Sequence, residues 1–191
     1  SNRPVTDAGL ASLKKLTSLR TLHLYNTQVT DAGLEHLKGL TSIQELDLSR
    51  TQVTDAGLVH LKGLTNLESL HLRVIKLADA GLEHLKGMKN LKSLRLDGTE
   101  VTDAGLVHLK GMKNLQYLEL GSGVTDSGLL HLKGLESLKD LFLKGTGVTD
   151  AGLVHLKGLT SLTKLYLRNT SVTRAGVEEL QSALPKCRIS K

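Results

Sequence analysis

Three residue types capable of chemistry return at a fixed interval along this chain. A carboxylate at Asp31, Asp55, Asp79, Asp103, Asp126 and Asp150, an imidazole at His36, His60, His84, His108, His131 and His155, and an amine at Lys38, Lys62, Lys86, Lys110, Lys133 and Lys157 each appear once per unit. The segment VTDAGLVHLKG, which holds all three, occurs unchanged at residues 53–63, 101–111 and 148–158. An acid, an imidazole and an amine this close suggest general acid–base chemistry, and two imidazoles on adjacent units suggest a shared zinc ion. Both fail on the same ground. A reaction site is one asymmetric constellation, and identical copies give none of them a distinctive environment. Zinc usually needs three or four ligands in a closed geometry. The plainer assignment has Asp at a helix N-terminus, His partly covering a leucine on the helix flank, and Lys facing water near the helix C-terminus. The expectation is therefore no catalytic residue, no metal and no cofactor.

The elements that carry these residues follow from the period. Units open at Val5, Val29, Val53, Leu77, Val101, Val124, Val148 and Val172, spaced 24 residues apart except for one step of 23 between Val101 and Val124. A constant period of this size marks a solenoid, in which each unit buries its apolar side only by stacking on its neighbours. Inside a unit Leu34 and Leu37 are spaced as on one side of a helix, while Leu46 and Leu48 alternate as on one side of a strand. Thr30 with Asp31 suits a helix start, and Gly39 suits a left-handed stop about two turns later. Gly33, a poor helix former, marks close approach between units. The Thr27, Thr51, Thr99, Thr146 and Thr170 column, with Ser122 in the short unit, places hydroxyls where they can bond neighbouring backbone at the turn leaving each strand.

The pattern L-x-x-L-x-L-x-x-T-x-V resembles the leucine-rich repeat, with Thr where most families place Asn or Cys. With T-D-x-G-L opening the helix it is similar to the cysteine-containing type of F-box proteins and to bacterial TDAGL repeats. The resemblance implies a right-handed α/β solenoid with one parallel sheet on the concave face, short helices on the convex face, and a scaffold that binds other macromolecules. One domain over residues 1–191 is expected: seven repeats from Val5, about seven strands, and a C-terminal cap over 172–191 whose Val177 and Pro185 stop the stacking. The chain opens without Met and already inside the pattern, so a fragment of something longer is expected. Unit four breaks the pattern with Ile75 and Ala78, and unit five ends in GSG.

Composition narrows the rest. Aromatics are only 2% of the chain, so the core must be built from Leu, Val, Ala and Ile. The single Cys187 closes no internal disulfide, and no apolar window of about 18 residues offers a membrane-spanning helix. The net charge of +6 sits mainly at the two ends, in residues 1–28 and 172–191, which is a weak form of the basic stripe of a nucleic-acid binder.

Strand alternation puts every second side chain on the concave face. Three positions per unit, beginning with Thr21, His23 and Tyr25, hardly repeat down the stack. All three Tyr and the one Phe fall among them, at Tyr25, Tyr117, Phe142 and Tyr166. Exposed aromatics with Arg are the composition of interface hot spots, although aromatics also favour strands and pack across them. Arg73, Arg95, Lys144, Lys164 and Arg168 are matched there by Glu45, Asp47, Asp97, Glu119 and Asp140. A phosphate backbone favours one sign of charge, so mixed signs fit a protein or peptide partner better. The expected binding residues are Tyr25, His71, Arg73, Arg95, Tyr117, Phe142, Lys144, Lys164, Tyr166 and Arg168, centred on Tyr117, Phe142 and Tyr166. A non-enzymatic protein-interaction module is the first reading, a glycan-binding surface the second, and nucleic acid a distant third.

Overall fold

Eight parallel strands of three residues form one sheet in chain order: β1 Thr21–His23, β2 Glu45–Asp47, β3 Ser69–His71, β4 Ser93–Arg95, β5 Tyr117–Glu119, β6 Asp140–Phe142, β7 Lys164–Tyr166 and β8 Arg188–Ser190. The computed structural model describes residues 5–191, so Arg3, part of the N-terminal charge excess, lies outside it. Each strand is paired one unit on from the last, as in Leu46 with Leu70 and Leu118 with Leu141. The one-residue deletion in unit five therefore leaves the strand register intact and is absorbed in a turn. The eighth strand corrects the expected seven. The C-terminal helix Arg174–Ala183 does lengthen and end the repeat, but Arg188, Ile189 and Ser190 behind Pro185 still pair with β7. Ile189 opposite Leu165 continues the apolar row, which outweighs the polar flanks.

The core is almost wholly leucine, with the helix and strand leucines of units two to seven fully or nearly fully buried apart from the exposed Leu130. No aromatic lies in it among the described residues. Leu22 is only half-buried, unlike its counterparts, because β1 is the first strand of the sheet. Six of the seven repeats leave their strand through a left-handed residue, Asn26, Arg50, Val74, Gly98, Gly145 and Asn169, with φ between 54° and 71°; the short unit five does not. For Val74 that conformation is strained, since a β-branched side chain crowds the backbone there.

One expected role changes. The repeated Asp does not cap its own helix. Instead its carboxylate reaches the next unit, where it accepts from the backbone N–H of the Thr that opens the following helix, at 2.7–2.8 Å. It also accepts from that Thr hydroxyl at 2.5–2.7 Å. In four units the Thr oxygen in turn accepts from a first-turn amide two residues on, so one column both caps the helices and clamps unit to unit. Ala78 lacks the hydroxyl, and Asp55 holds only its amide. This explains the glycine in DAGL: a Cβ on Gly33, Gly57 or Gly152 would run into the Asp carboxylate of the preceding unit. The Thr27, Thr51, Thr99, Thr146 and Thr170 hydroxyls bond neighbouring backbone as expected, donating to the carbonyl three residues back in their own turn. Links between units come instead from Asn66, Asn90 and Asn114, which donate to a carbonyl of the preceding unit.

Candidate functional site

All six ladder His are half-buried on the helix flank. In His36, His60, His84, His108 and His131 the Nδ1 atom is buried without a hydrogen-bond partner. The ladder Lys extend toward solvent, where Lys38 and Lys86 meet Glu35 and Glu83 of their own turns at 3.8 Å and 3.4 Å. Among the described residues no group of three or more His, Cys, Asp or Glu is placed to hold a metal ion.

The concave face is organised differently, because its side chains differ from rung to rung. Three of the four aromatics assemble into one column. The rings of Tyr117 and Phe142 lie 4.8 Å apart at a tilt of 34°, and those of Phe142 and Tyr166 stack at 4.2 Å and 11°. Arg95 closes the column on the other side, with its guanidinium carbon 4.9 Å from the Tyr117 ring centre, within the range of a cation–π contact. The sheet register dictates this: Phe142 and Tyr166 are direct cross-strand partners, while Tyr117 and Arg95 reach their neighbours diagonally. Burial, then the nearby Glu119 carboxylate, pushes the Tyr117 hydroxyl up to about 12. Tyr25 stands apart at the far end, four rungs or about 19 Å from Tyr117 at a strand spacing of about 4.8 Å. With 54% of its surface exposed it is the freest aromatic of the chain.

The mixed charges pair between adjacent rungs. His23 meets Glu45 at 3.0 Å, His71 lies 3.6 Å from Asp47, Arg73 meets Asp97 at 2.6 Å, Arg95 lies 4.0 Å from Glu119, and Lys164 meets Asp140 at 3.3 Å. Burial and then the facing Arg95 lower the pKa of His71, with Asp47 opposing them. Of the expected basic residues, Lys144 and Arg168 alone are in no ion pair among the described residues, and both are exposed. The structure thus gathers Arg73, Arg95, Tyr117, Phe142, Lys144, Lys164, Tyr166 and Arg168 on consecutive rungs, with His71 on the rung of Arg73 and opposite Arg95, and leaves Tyr25 toward the other end. Two positions expected on the open face, Ser49 and Gly121, are buried.

One feature was not expected, although three of the expected binding residues line it. A cleft of about 310 Å³ opens where unit five is short, lined by Arg73, Asp97, Glu119, Gly121, Phe142 and Lys144 among others. Gly121 occupies the row filled by Asp97 and Lys144 on either side, so its missing side chain leaves a gap between them. The signal was present in the sequence as the step of 23 and the GSG that follows Leu120.

Comparison with known proteins agrees with this architecture. The family model described as Leucine Rich repeat matches residues 15–38, 39–61 and 87–109. No curated protein sequence matches the chain. Among solved structures, an internalin (InlF) of Listeria monocytogenes aligns at a TM-score of 0.79 and 24% identity over 95% of this chain and 50% of its own. Internalin C2 of the same organism aligns at 0.76 and 28% identity over 99% of this chain and 78% of its own. A leucine-rich-repeat protein of Leptospira interrogans aligns at 0.65 and 19% identity over 95% of this chain and 51% of its own. The chain thus spans about half the length of two of these three structures.

Proposed function

We propose that this leucine-rich-repeat solenoid is a non-enzymatic interaction module that holds a protein or peptide partner on its concave face. The observation that carries the reading is the contrast between its two faces. On the helix side one set of residues repeats, each with a structural task. On the concave side the residues change from rung to rung, and the change concentrates aromatic area and two unpaired cations, Lys144 and Arg168, beside one column. The rung-to-rung ion pairs support a protein partner over a polyanion, since they spend most of the positive charge within the face. They also hold the polar side chains in fixed positions before binding, which lowers the ordering cost of forming an interface. The likeness to internalins supports the reading at the level of fold and repeat type. The partner itself is a protein whose acidic residues meet Lys144 and Arg168, next to a contact on Tyr166.

The test compares the two faces with one type of substitution. Lys144→Glu and Arg168→Glu should each weaken binding of an affinity-purified partner at least tenfold, with a steeper loss at low salt. Lys110→Glu and Lys133→Glu on the helix side should leave it within about twofold. Equal losses from both pairs would mean that the concave face holds no privileged position.

A further inference from the structure

The cleft beside Gly121 is built by the deletion, and its chemistry is specific. In complete units the N–H of the left-handed turn residue donates to the carbonyl of the matching row in the next unit: Asn26 to Ser49, Arg50 to Arg73, Val74 to Asp97 and Gly145 to Arg168, at 2.9–3.0 Å. The shortened turn breaks this series twice. The Gly121 carbonyl accepts instead from Val124 within its own turn, the Gly98 N–H has no acceptor, and no backbone amide of unit five donates to Lys144, among the described residues. Gly98, with φ of 70°, is exposed at the cleft. The short turn is tightly packed on the start of its own unit: a Cβ on Gly123 would come within 2.5 Å of the Val101 carbonyl.

Around the gap stand two cations and two anions, each with unused hydrogen-bonding capacity. Arg73 commits its Nε to Asp97 Oδ1, leaving the terminal guanidinium nitrogens and Asp97 Oδ2. Glu119 Oε2 receives the Tyr117 hydroxyl at 3.4 Å, leaving Oε1, and Lys144 is in no ion pair among the described residues. The two signs balance, so an entering ion of either sign gains no net attraction to offset its desolvation in this half-buried place. A neutral ligand with hydroxyls has no such charge to desolvate, and each hydroxyl both donates and accepts and so suits all four side chains and the Gly98 amide. Both faces of Phe142 are covered by Tyr117 and Tyr166, so it offers only a ring edge as an apolar wall. The volume, about 310 Å³, sits at the lower end of the range of about 300–1,000 Å³ for small-molecule sites, enough for one ring.

We propose that this cleft binds a single neutral hydroxylated ring, a sugar unit, between Arg73 and Asp97 on one side and Glu119 and Lys144 on the other. The site shares Lys144 with the proposed partner surface but does not rest on that reading, and its probes contain no protein. Amide spectra of the ¹⁵N-labelled chain are recorded during titration with the methyl glycosides of glucose, galactose, mannose and N-acetylglucosamine, and separately with acetate, methylammonium and glycine. The expected result is a saturable shift of Gly98, Gly121 and Ser122 with at least one glycoside and a Kd of about 1 mM, as suits so small a ligand. Ser122→Trp, which fills the cleft from an exposed position, should abolish it. Lys144→Ala, which leaves the fold untouched, should weaken it at least threefold. Tighter binding of acetate, methylammonium or glycine than of any glycoside, the absence of saturable shifts with all four glycosides, or shifts that survive both substitutions would each overturn the proposal.

Discussion

Unit four provides a natural deletion of the inter-unit clamp, and restoring it is a direct test of the forces that stack this solenoid. Elsewhere the Asp carboxylate of one unit takes two hydrogen bonds from the Thr of the next, but Asp55 takes only the Ala78 amide, at 2.8 Å. Replacing Ala78 by Thr adds a hydroxyl donor to the free oxygen of Asp55, in a setting where the equivalent bonds measure 2.5–2.7 Å. A hydrogen bond to a charged acceptor contributes about 1.5–3 kcal/mol, and a Thr cap in place of Ala about 0.5–2 kcal/mol. Both are discounted here. The site is only half-buried, the corresponding cap contacts are long at 3.2–3.4 Å, and ordering the side chain has an entropic cost. The net expectation is a gain of about 1–2 kcal/mol. For a chain of this length that raises Tm by about 2–8 °C. The assay is thermal and urea unfolding of Ala78→Thr, Asp55→Ala and the double variant, read as a cycle, since the two residues touch. An unchanged or lower Tm would refute the clamp as a source of stability, and so would a gain that persists in the Asp55→Ala background.

Other consequences can be checked with the same protein. Gly152→Ala places a methyl group against the Asp126 carboxylate and should destabilise by about 1–3 kcal/mol, where an ordinary helical glycine would gain from Ala; a raised Tm would contradict the packing role of the DAGL glycine. The two Thr173 hydrogen bonds hold the Asp150 carboxyl below its ordinary value of 3.8. Its contribution to stability is therefore complete above that value and lost as pH falls through the lower, folded one. Thr173→Ala should raise the Asp150 pKa in an NMR titration, and an unmoved value would show that the hydroxyl does not matter. Cys187 is 3% exposed, and burial, with Asp140 nearby, pushes its thiol up to about 11. It should react with a disulfide reagent at neutral pH only after unfolding in urea, and prompt reaction of the native chain would show that the cap opens.

The elements were legible because each is written many times. Period 24, the alternation around Leu46 and Leu48 and the T-D opening are local patterns, and repetition protects them from the tertiary context that misleads single-segment readings. What sequence could not show were relations between units. Asp31 and Thr54 are separated by 23 positions, and nothing in either unit says that the carboxylate turns forward rather than onto its own helix. The eighth strand was hidden because Arg188–Ser190 departs from the repeat and is recruited by the ladder of β7. On the concave face the membership was readable from alternation, and the ten named residues do lie on or beside the strands. Their pairing was not. Five like-for-like charge counts concealed the ion pairs that leave Lys144 and Arg168 free, and the aromatic column depends on diagonal reach across a twisted sheet. The cleft beside Gly121 was present as one missing residue, whose effect on a turn only the assembled stack reveals.

The central claim is that the helix face is architecture and the concave face is recognition. A photo-activated crosslinking residue placed singly at Tyr25, Lys144 and Arg168, and at Lys62, Lys110 and Lys133, samples both faces at exposed positions. With the partner present, adducts should form from Lys144 and Arg168 and from none of the three helix-side positions. Adducts from Lys62, Lys110 or Lys133, with Lys144 and Arg168 silent, would contradict the account.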